Sequence, residues 1–118
     1  MIGLFIGDAI GSSYESPMMR GKFNFDKIPE LGDEFPEGSK FTDDTYLVFA
    51  LMEHILTEKP LVDTLRSWAL AHPDAGYGGM FARWVQLGSR LPYRSYGNGA
   101  AVRAVLAGKI YEDAEERT

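Results

Sequence analysis

The sequence lacks cysteine, an excess of basic residues and any long hydrophobic run, and each absence excludes a class of protein. Without cysteine the chain has no disulfides, zinc–thiolate sites or thiol nucleophiles. The 12 basic and 17 acidic residues give a net charge of -5, which argues against a broad nucleic-acid surface because such a surface needs a basic face. The apolar residues 1–6 carry no basic flank, so we expect no signal peptide, no membrane span and a cytoplasmic protein.

The composition is that of a small globular protein. The chain has 118 residues, of which 45% are hydrophobic and 25% are charged, close to globular averages. This length suits one small domain or a piece of a larger one. No segment alternates between apolar and polar residues as a half-buried strand does, so the expected fold class is all-α.

Apolar residues recur at helical spacing in five segments. The predicted helices cover residues 2 to about 11–13, 42 to at least 55, 61 to about 71, 80–87, and 100 to about 107. Gly88 and Gly108 are expected to end the last two. Prolines and glycines between residues 15 and 40 predict one long loop, which is often functional in a small domain. Trp84 lies on an apolar stripe and is interpreted as a core residue rather than a ligand platform.

The run Thr42-Asp43-Asp44-Thr45 begins the second predicted helix. Hydroxyl and carboxylate oxygens are the hard ligands that magnesium and calcium prefer. The same residues also suit a helix start, since threonine is a good N-cap and aspartates match the positive end of the helix dipole. On local sequence both interpretations stay open, and capping is the commoner use.

Two further motifs contain glycine. Gly7-Asp8-Ala9-Ile10-Gly11 places two glycines on one helix face, and Glu15 follows, so the motif indicates either close helix packing or an acid directed into a site. The second motif consists of Ser95, Tyr96, Gly97, Asn98, Gly99 and Ala100. Glycines before a helix allow close approach of a phosphate or sugar, although Gly-Asn-Gly is also ordinary turn chemistry.

Taken in order, these motifs resemble the ADP-ribosylglycohydrolase family. The resemblance rests on Gly-Asp-Ala-Ile-Gly, a following glutamate, Thr-Asp-Asp-Thr at a helix start and Ser-Tyr-Gly-Asn-Gly-Ala-Ala-Val-Arg, and it covers the chain from Gly3 to about Val105. It implies an all-α fold and magnesium-dependent hydrolysis of the glycosidic bond between ADP-ribose and a modified protein side chain or a related conjugate. The implied partner is therefore an ADP-ribosylated protein or an ADP-ribose conjugate.

The resemblance also implies roles for individual residues. Thr42, Asp43 and Asp44 match the first metal-ligand motif of a site for two magnesium ions, for which manganese is also chemically suitable. Glu15 matches an entrance-loop glutamate that acts in catalysis or gating in some relatives. Together Glu15, Asp43 and Asp44 are the expected catalytic residues. The segment from Ser95 to Gly99 matches the lining of the ADP-ribose pocket, to which Gly79 and Met80 are added.

The sequence departs from the family pattern after Arg103. Family members carry a second metal-ligand motif, an Asp-rich segment ending in threonine, and nothing similar follows Arg103 here. We therefore expect residues 1–118 to form a single partial domain that self-associates or needs a companion chain. The alternative to an enzyme is an inactive, truncated module that binds ADP-ribose or a protein partner.

Overall fold

The computed structural model describes residues 2–19, 35–95 and 97–116, with backbone alone at 16–19, 111 and 113–116. Contacts divide the chain into two compact units, Met1–Thr42 and Asp43–Thr118. Five α-helices and no strand occur in these described segments, which confirms the all-α prediction. Whether the whole chain is a single partial domain stays a prediction.

The first unit is built on helix α1, Ile2–Met19. The prediction that this helix ends near residues 11–13, and that a loop starts at 15, is wrong for residues up to 19. Ser12 and Ser13 donate hydrogen bonds from their hydroxyls to the carbonyls of Ala9 and Ile10, at 2.7 and 2.9 Å. Their polar groups are thus satisfied inside the helix, which removes their usual reason to end one. Residues 20–34 of the predicted loop lie outside the described residues.

Four helices form the second unit: α2, Asp43–Thr57; α3, Leu61–Ala71; α4, Gly79–Leu87; and α5, Gly99–Glu116. Helix α2 contacts α3 and α5, and α3 contacts α4. The core is formed by the apolar stripe of α2 and by single residues from the other helices. Its buried members include Leu47, Val48, Ala50, Leu51, Ala69, Val85 and Leu106.

The predicted bounds of α3 and α4 are confirmed to within one residue. Gly88 ends α4 with φ 65°, the left-handed conformation that glycine adopts without steric cost. The prediction that Gly108 breaks the fifth helix is wrong, because α5 continues to Glu116. An isolated glycine costs a helix only about 1 kcal/mol relative to alanine, which the neighbouring turns can offset. None of the described helices combines the length and the apolar character needed to cross a membrane.

Candidate functional site

The second unit contains a cavity of about 810 Å³. This volume falls within the range of small-molecule and cofactor sites, about 300–1,000 Å³. The cavity is lined by the beginnings of α2, α4 and α5, by α3, and by the segment that joins α4 to α5. Helix starts expose backbone N–H groups that have no partner within the helix, so such a cavity can hold an anionic ligand.

This cavity brings together residues from two of the three motifs, together with Gly79 and Met80. The predicted metal ligand Asp43 lies in its wall, and so do most of the predicted pocket residues: Gly79, Met80, Ser95, Gly97, Asn98 and Gly99. Tyr96 lies outside the described residues. Asp44 does not line the cavity, although it follows Asp43 in the first turn of α2.

The loop before α5 is shaped by short local hydrogen bonds. The Gly97 N–H donates to the Ser95 hydroxyl at 3.1 Å, and the Val102 N–H donates to the Asn98 carbonyl at 3.1 Å. Asn98 therefore occupies the position before the helix, and the first N–H groups of α5 have no carbonyl one turn earlier. Gly99 and Ala100 carry two of these groups, and both residues line the cavity.

Arg103 places a positive charge in the cavity wall, and sequence reasoning did not assign it to the site. Its Nη1 atom lies 3.0 Å from the position that a side-chain Cβ on Gly99 would occupy. Burial lowers the pKa of the Arg103 guanidinium, while Tyr93 and the carboxylates of Asp43 and Asp44 raise it. Its spacing of four residues from Gly99, one helical turn, was the signal that could have found it.

An aromatic cluster forms another part of the wall. The Phe81 and Trp84 ring centroids are 5.7 Å apart, and the Trp84 and Tyr93 centroids are 6.3 Å apart. Trp84 is only half-buried, and its indole N–H donates to the Leu91 carbonyl at 2.9 Å. The interpretation of Trp84 as a core residue is therefore wrong in part, because one side of its ring faces the cavity. The guanidinium of Arg66 lies 4.5 Å from the Trp84 ring centroid.

The beginning of α2 is held by the loop that follows α3. The Asp43 N–H donates to the Ala75 carbonyl at 2.9 Å, so this loop supplies the partner that the helix itself does not offer to its first N–H group. Tyr77 in the same loop has a buried hydroxyl without a hydrogen-bond partner among the described residues. Burial raises the pKa of Tyr77 to about 12, with smaller contributions from Asp43 and Tyr46.

Two predicted residues belong to the first unit. Thr42 is buried, with 5% of its surface exposed, and Glu15 is exposed on α1. Asp8, which sequence reasoning left as part of a packing motif, accepts hydrogen bonds from both the main chain and the hydroxyl of Thr42, at 2.8 and 2.6 Å. Asp8 is therefore a polar partner of Thr42 that spacing alone did not indicate.

The donor chemistry of Thr42, Asp43 and Asp44 fits a hard cation, since a hydroxyl and two carboxylates supply oxygen ligands only. The two aspartates are half-buried in the first turn of α2. In the described segments no three His, Cys, Asp or Glu side chains cluster closely enough to hold a metal ion. The chemistry of these oxygen donors is therefore of the kind that magnesium prefers.

Comparison with known proteins agrees with the resemblance seen in the motifs. The family model for ADP-ribosylglycohydrolase matches residues 1–118. No curated protein and no solved structure gives a match to this chain. The match spans both units, so it covers every motif discussed above.

Proposed function

The chain belongs to the ADP-ribosylglycohydrolase family, and we propose that it binds ADP-ribose conjugates and hydrolyses the glycosidic bond to a modified protein side chain with the help of magnesium. The observation that carries the proposal is the shared cavity of Asp43 and the Ser95, Gly97, Asn98 and Gly99 segment. Asp43 and this segment are about fifty residues apart in sequence, and the packing of α5 against α2 brings them together.

The pyrophosphate of ADP-ribose is proposed to bind at the beginning of α5. Helix-start N–H groups and the helix dipole favour an anion there, and glycines let its oxygens approach the backbone. Arg103 adds a positive charge one turn further along the same helix. Asn98 offers a side-chain donor and an acceptor for a ribose hydroxyl. The aromatic cluster of Phe81, Trp84 and Tyr93 offers ring surfaces against which a planar base can pack.

Thr42, Asp43 and Asp44 are the residues proposed to hold magnesium, and manganese suits the same oxygen donors. When bound, such an ion orients ribose hydroxyls and polarises a water molecule or the leaving group. The positive end of the α2 dipole and the charge of Arg103 both favour negative charge on Asp43 and Asp44, and negative oxygen ligands attract a cation.

Glu15 is proposed to position the attacking water or to move a proton, as general acid–base residues do. A Glu15→Gln variant keeps the size of the side chain but loses its proton-accepting charge. We expect its turnover of an ADP-ribosylated peptide to fall by about a hundredfold, with unchanged affinity for ADP-ribose. Unchanged turnover in this variant would remove Glu15 from the mechanism.

The second candidate function is binding of ADP-ribose or a protein partner without turnover. The observation that favours it is the lack, in the described part of the chain, of a third acidic or histidine ligand near Asp43 and Asp44. Magnesium demands a nearly complete octahedron and releases water reluctantly, so a partial site binds it weakly. A second copy or a companion chain is proposed to complete the site, and the cytoplasmic location stays a prediction.

The deciding experiment is titration calorimetry of ADP-ribose into the protein, first with magnesium and then with a chelator. We compare the wild type with Asn98→Ala in the cavity and with Gln86→Ala, an exposed residue of α4 outside the cavity, as a matched control. Binding that is weakened by Asn98→Ala and unaffected by Gln86→Ala supports the assignment of the pocket. Absence of ADP-ribose binding under both conditions would refute it.

Turnover is tested separately with peptides that carry ADP-ribose on arginine or on serine. Release of ADP-ribose that stops on chelation supports the enzyme. Binding without release, measured at the same protein concentration with magnesium present, supports the second candidate instead. Light scattering after size exclusion tests the proposed self-association, and a monomer at all concentrations contradicts it.

A further inference from the structure

Asp8 on α1 binds Thr42 through both of its carboxylate oxygens. Oδ2 accepts the Thr42 N–H at 2.8 Å, and Oδ1 accepts the Thr42 hydroxyl at 2.6 Å. The hydroxyl contact lies in the short range typical of hydrogen bonds to an ionised carboxylate. Both residues belong to the Met1–Thr42 unit, and only 5% of the Thr42 surface is exposed. One side chain thus fixes the main chain and the side chain of Thr42 at once.

The spacing of the contacts explains why this arrangement forms. Ser12 lies one turn after Asp8 on α1, and its hydroxyl accepts the Lys40 N–H at 2.9 Å. One helical turn of four residues rises about 6 Å, and a two-residue step of extended chain spans up to about 7 Å. The segment before α2 therefore runs antiparallel to α1, with Ser12 holding Lys40 and Asp8 holding Thr42.

The direction of the Asp8–Thr42 hydroxyl bond matters for metal binding. A threonine hydroxyl has one hydrogen to donate and two lone pairs to offer. Because an ionised carboxylate can only accept, the hydroxyl hydrogen must point toward Asp8, and the lone pairs must point elsewhere. A hydroxyl held in this way can act toward a cation only as an acceptor, and the adjacent negative charge makes its oxygen a stronger ligand.

We propose that Asp8 is a positioning residue for the magnesium site, which acts by orienting the Thr42 hydroxyl and does not itself coordinate the ion. The proposal rests on the proposed function, since it assumes that Thr42 is a metal ligand. It gives Asp8 a role that the glycine-rich motif around it did not reveal. Removing the carboxylate should weaken cation binding without unfolding the protein.

The test is a titration with Mn²⁺ followed by electron paramagnetic resonance, with Mg²⁺ added as a competitor. The informative variant is Asp8→Asn, because the amide nitrogen donates where the carboxylate accepted. If the amide oxygen of the new side chain still accepts from the Thr42 N–H, its N–H₂ group lies against the Thr42 hydroxyl. That group can only donate, so the direction of the hydrogen bond with the hydroxyl is reversed. The hydroxyl then accepts from Asn and turns its own hydrogen toward the cation. We expect Mn²⁺ affinity to fall at least tenfold, the lower end of the range for outer partners of metal ligands.

The control is Ser12→Ala, which removes the neighbouring contact to Lys40 and leaves both contacts of Asp8 in place. A purely structural role predicts that the two variants lose Mn²⁺ affinity equally, whereas positioning predicts a change of less than about twofold for Ser12→Ala. Thermal melting identifies any variant that fails to fold. If Asp8→Asn fails to fold, Asp8→Ser, which retains a small acceptor, is measured in its place.

The outcomes separate this inference from the function on which it rests. Two results overturn the role of Asp8 alone, provided that the wild type binds Mn²⁺. In the first, Asp8→Asn binds Mn²⁺ as tightly as the wild type does. In the second, Ser12→Ala loses as much Mn²⁺ affinity as Asp8→Asn does. No Mn²⁺ binding to the wild type overturns the metal site, and the positioning role with it. Binding that is competed by Mg²⁺ and selectively lost in Asp8→Asn supports both.

Discussion

Replacing Tyr77 with phenylalanine should make the protein more stable. The Tyr77 hydroxyl is buried and has no hydrogen-bond partner within the described ranges, although the ring packs 5.4 Å from the Phe81 ring. A buried polar group without a partner costs about 1–3 kcal/mol in desolvation. Phenylalanine keeps the ring contact and removes this cost, so we expect a gain of about 1 kcal/mol in the free energy of unfolding.

A gain of that size is measurable. For a domain of this size it corresponds to a rise of about 4–8 °C in the melting temperature. Urea unfolding at pH 7, followed by tryptophan fluorescence, gives the difference in free energy directly. Ser67→Ala, at an exposed position of α3, is the control and should change stability by less than about 0.5 kcal/mol.

The difference in stability between Tyr77→Phe and the wild type should also depend on pH above 10. Burial, assisted by Asp43 and Tyr46, raises the pKa of Tyr77 from 10.0 in the unfolded chain to about 12 in the folded protein. Because the pKa is higher in the folded protein, ionisation of Tyr77 favours the unfolded chain. The free energy of unfolding is therefore unaffected by this ionisation below pH 10 and decreases as pH rises toward 12. Phenylalanine has no such titration, so the advantage of Tyr77→Phe should widen between pH 10 and 12.

Two results would refute this reasoning. A Tyr77→Phe protein less stable than the wild type at pH 7 would mean that the hydroxyl makes a stabilising hydrogen bond. A stability difference that is the same at pH 7 and pH 11 would mean that the Tyr77 pKa is not raised. Other titrating groups are common to both proteins and cancel in the comparison.

Three further changes test the cavity and its surroundings. Gly99→Ala places a Cβ 3.0 Å from Nη1 of Arg103 and should displace the guanidinium, so calorimetry should show about tenfold weaker ADP-ribose binding, a loss of about 1.4 kcal/mol. Leu47→Ala removes a core side chain that is 5% exposed and should cost about 2–4 kcal/mol in urea unfolding. Asp63→Ala breaks a 2.7 Å ion pair with Arg90 whose side chains are 51% and 60% exposed, and its effect should stay below about 0.5 kcal/mol and vanish in 1 M salt.

Helix positions were predictable where apolar residues mark one face and end residues are unambiguous. Leu61–Ala71 follows a proline and Gly79–Leu87 precedes a left-handed glycine, and both helices match the predicted bounds to within one residue. The errors fall where glycine or serine lies inside a helix. The cost of such a residue is about 1 kcal/mol or less, so local sequence cannot decide whether the surrounding turns outweigh it. Helices α1 and α5 both continue through such positions.

The candidate site was predictable only in part, for a different reason. Asp43 and the Ser95 to Gly99 segment were assigned through the resemblance of the ordered motifs to the family, because each motif alone also suits a helix start or an ordinary turn. Trp84 enters the cavity wall through tertiary packing, which no local pattern encodes, whereas Arg103 could have been found from its position one helical turn after Gly99. The contact between Asp8 and Thr42 joins residues 34 positions apart and is equally invisible to spacing rules.

The two interpretations of Thr42-Asp43-Asp44, helix start and metal site, are compatible in physical terms. Asp43 and Asp44 both lie in the first turn of α2, where the helix dipole stabilises negative charge by about 0.3–1 kcal/mol each. The positive charge of Arg103 acts on both carboxylates in the same direction. A carboxylate must be ionised in order to bind a cation. The helix dipole, which makes aspartate a good helix-start residue, therefore also favours the charge that a metal ligand needs. A sequence pattern typical of a helix start is thus no argument against a metal site here.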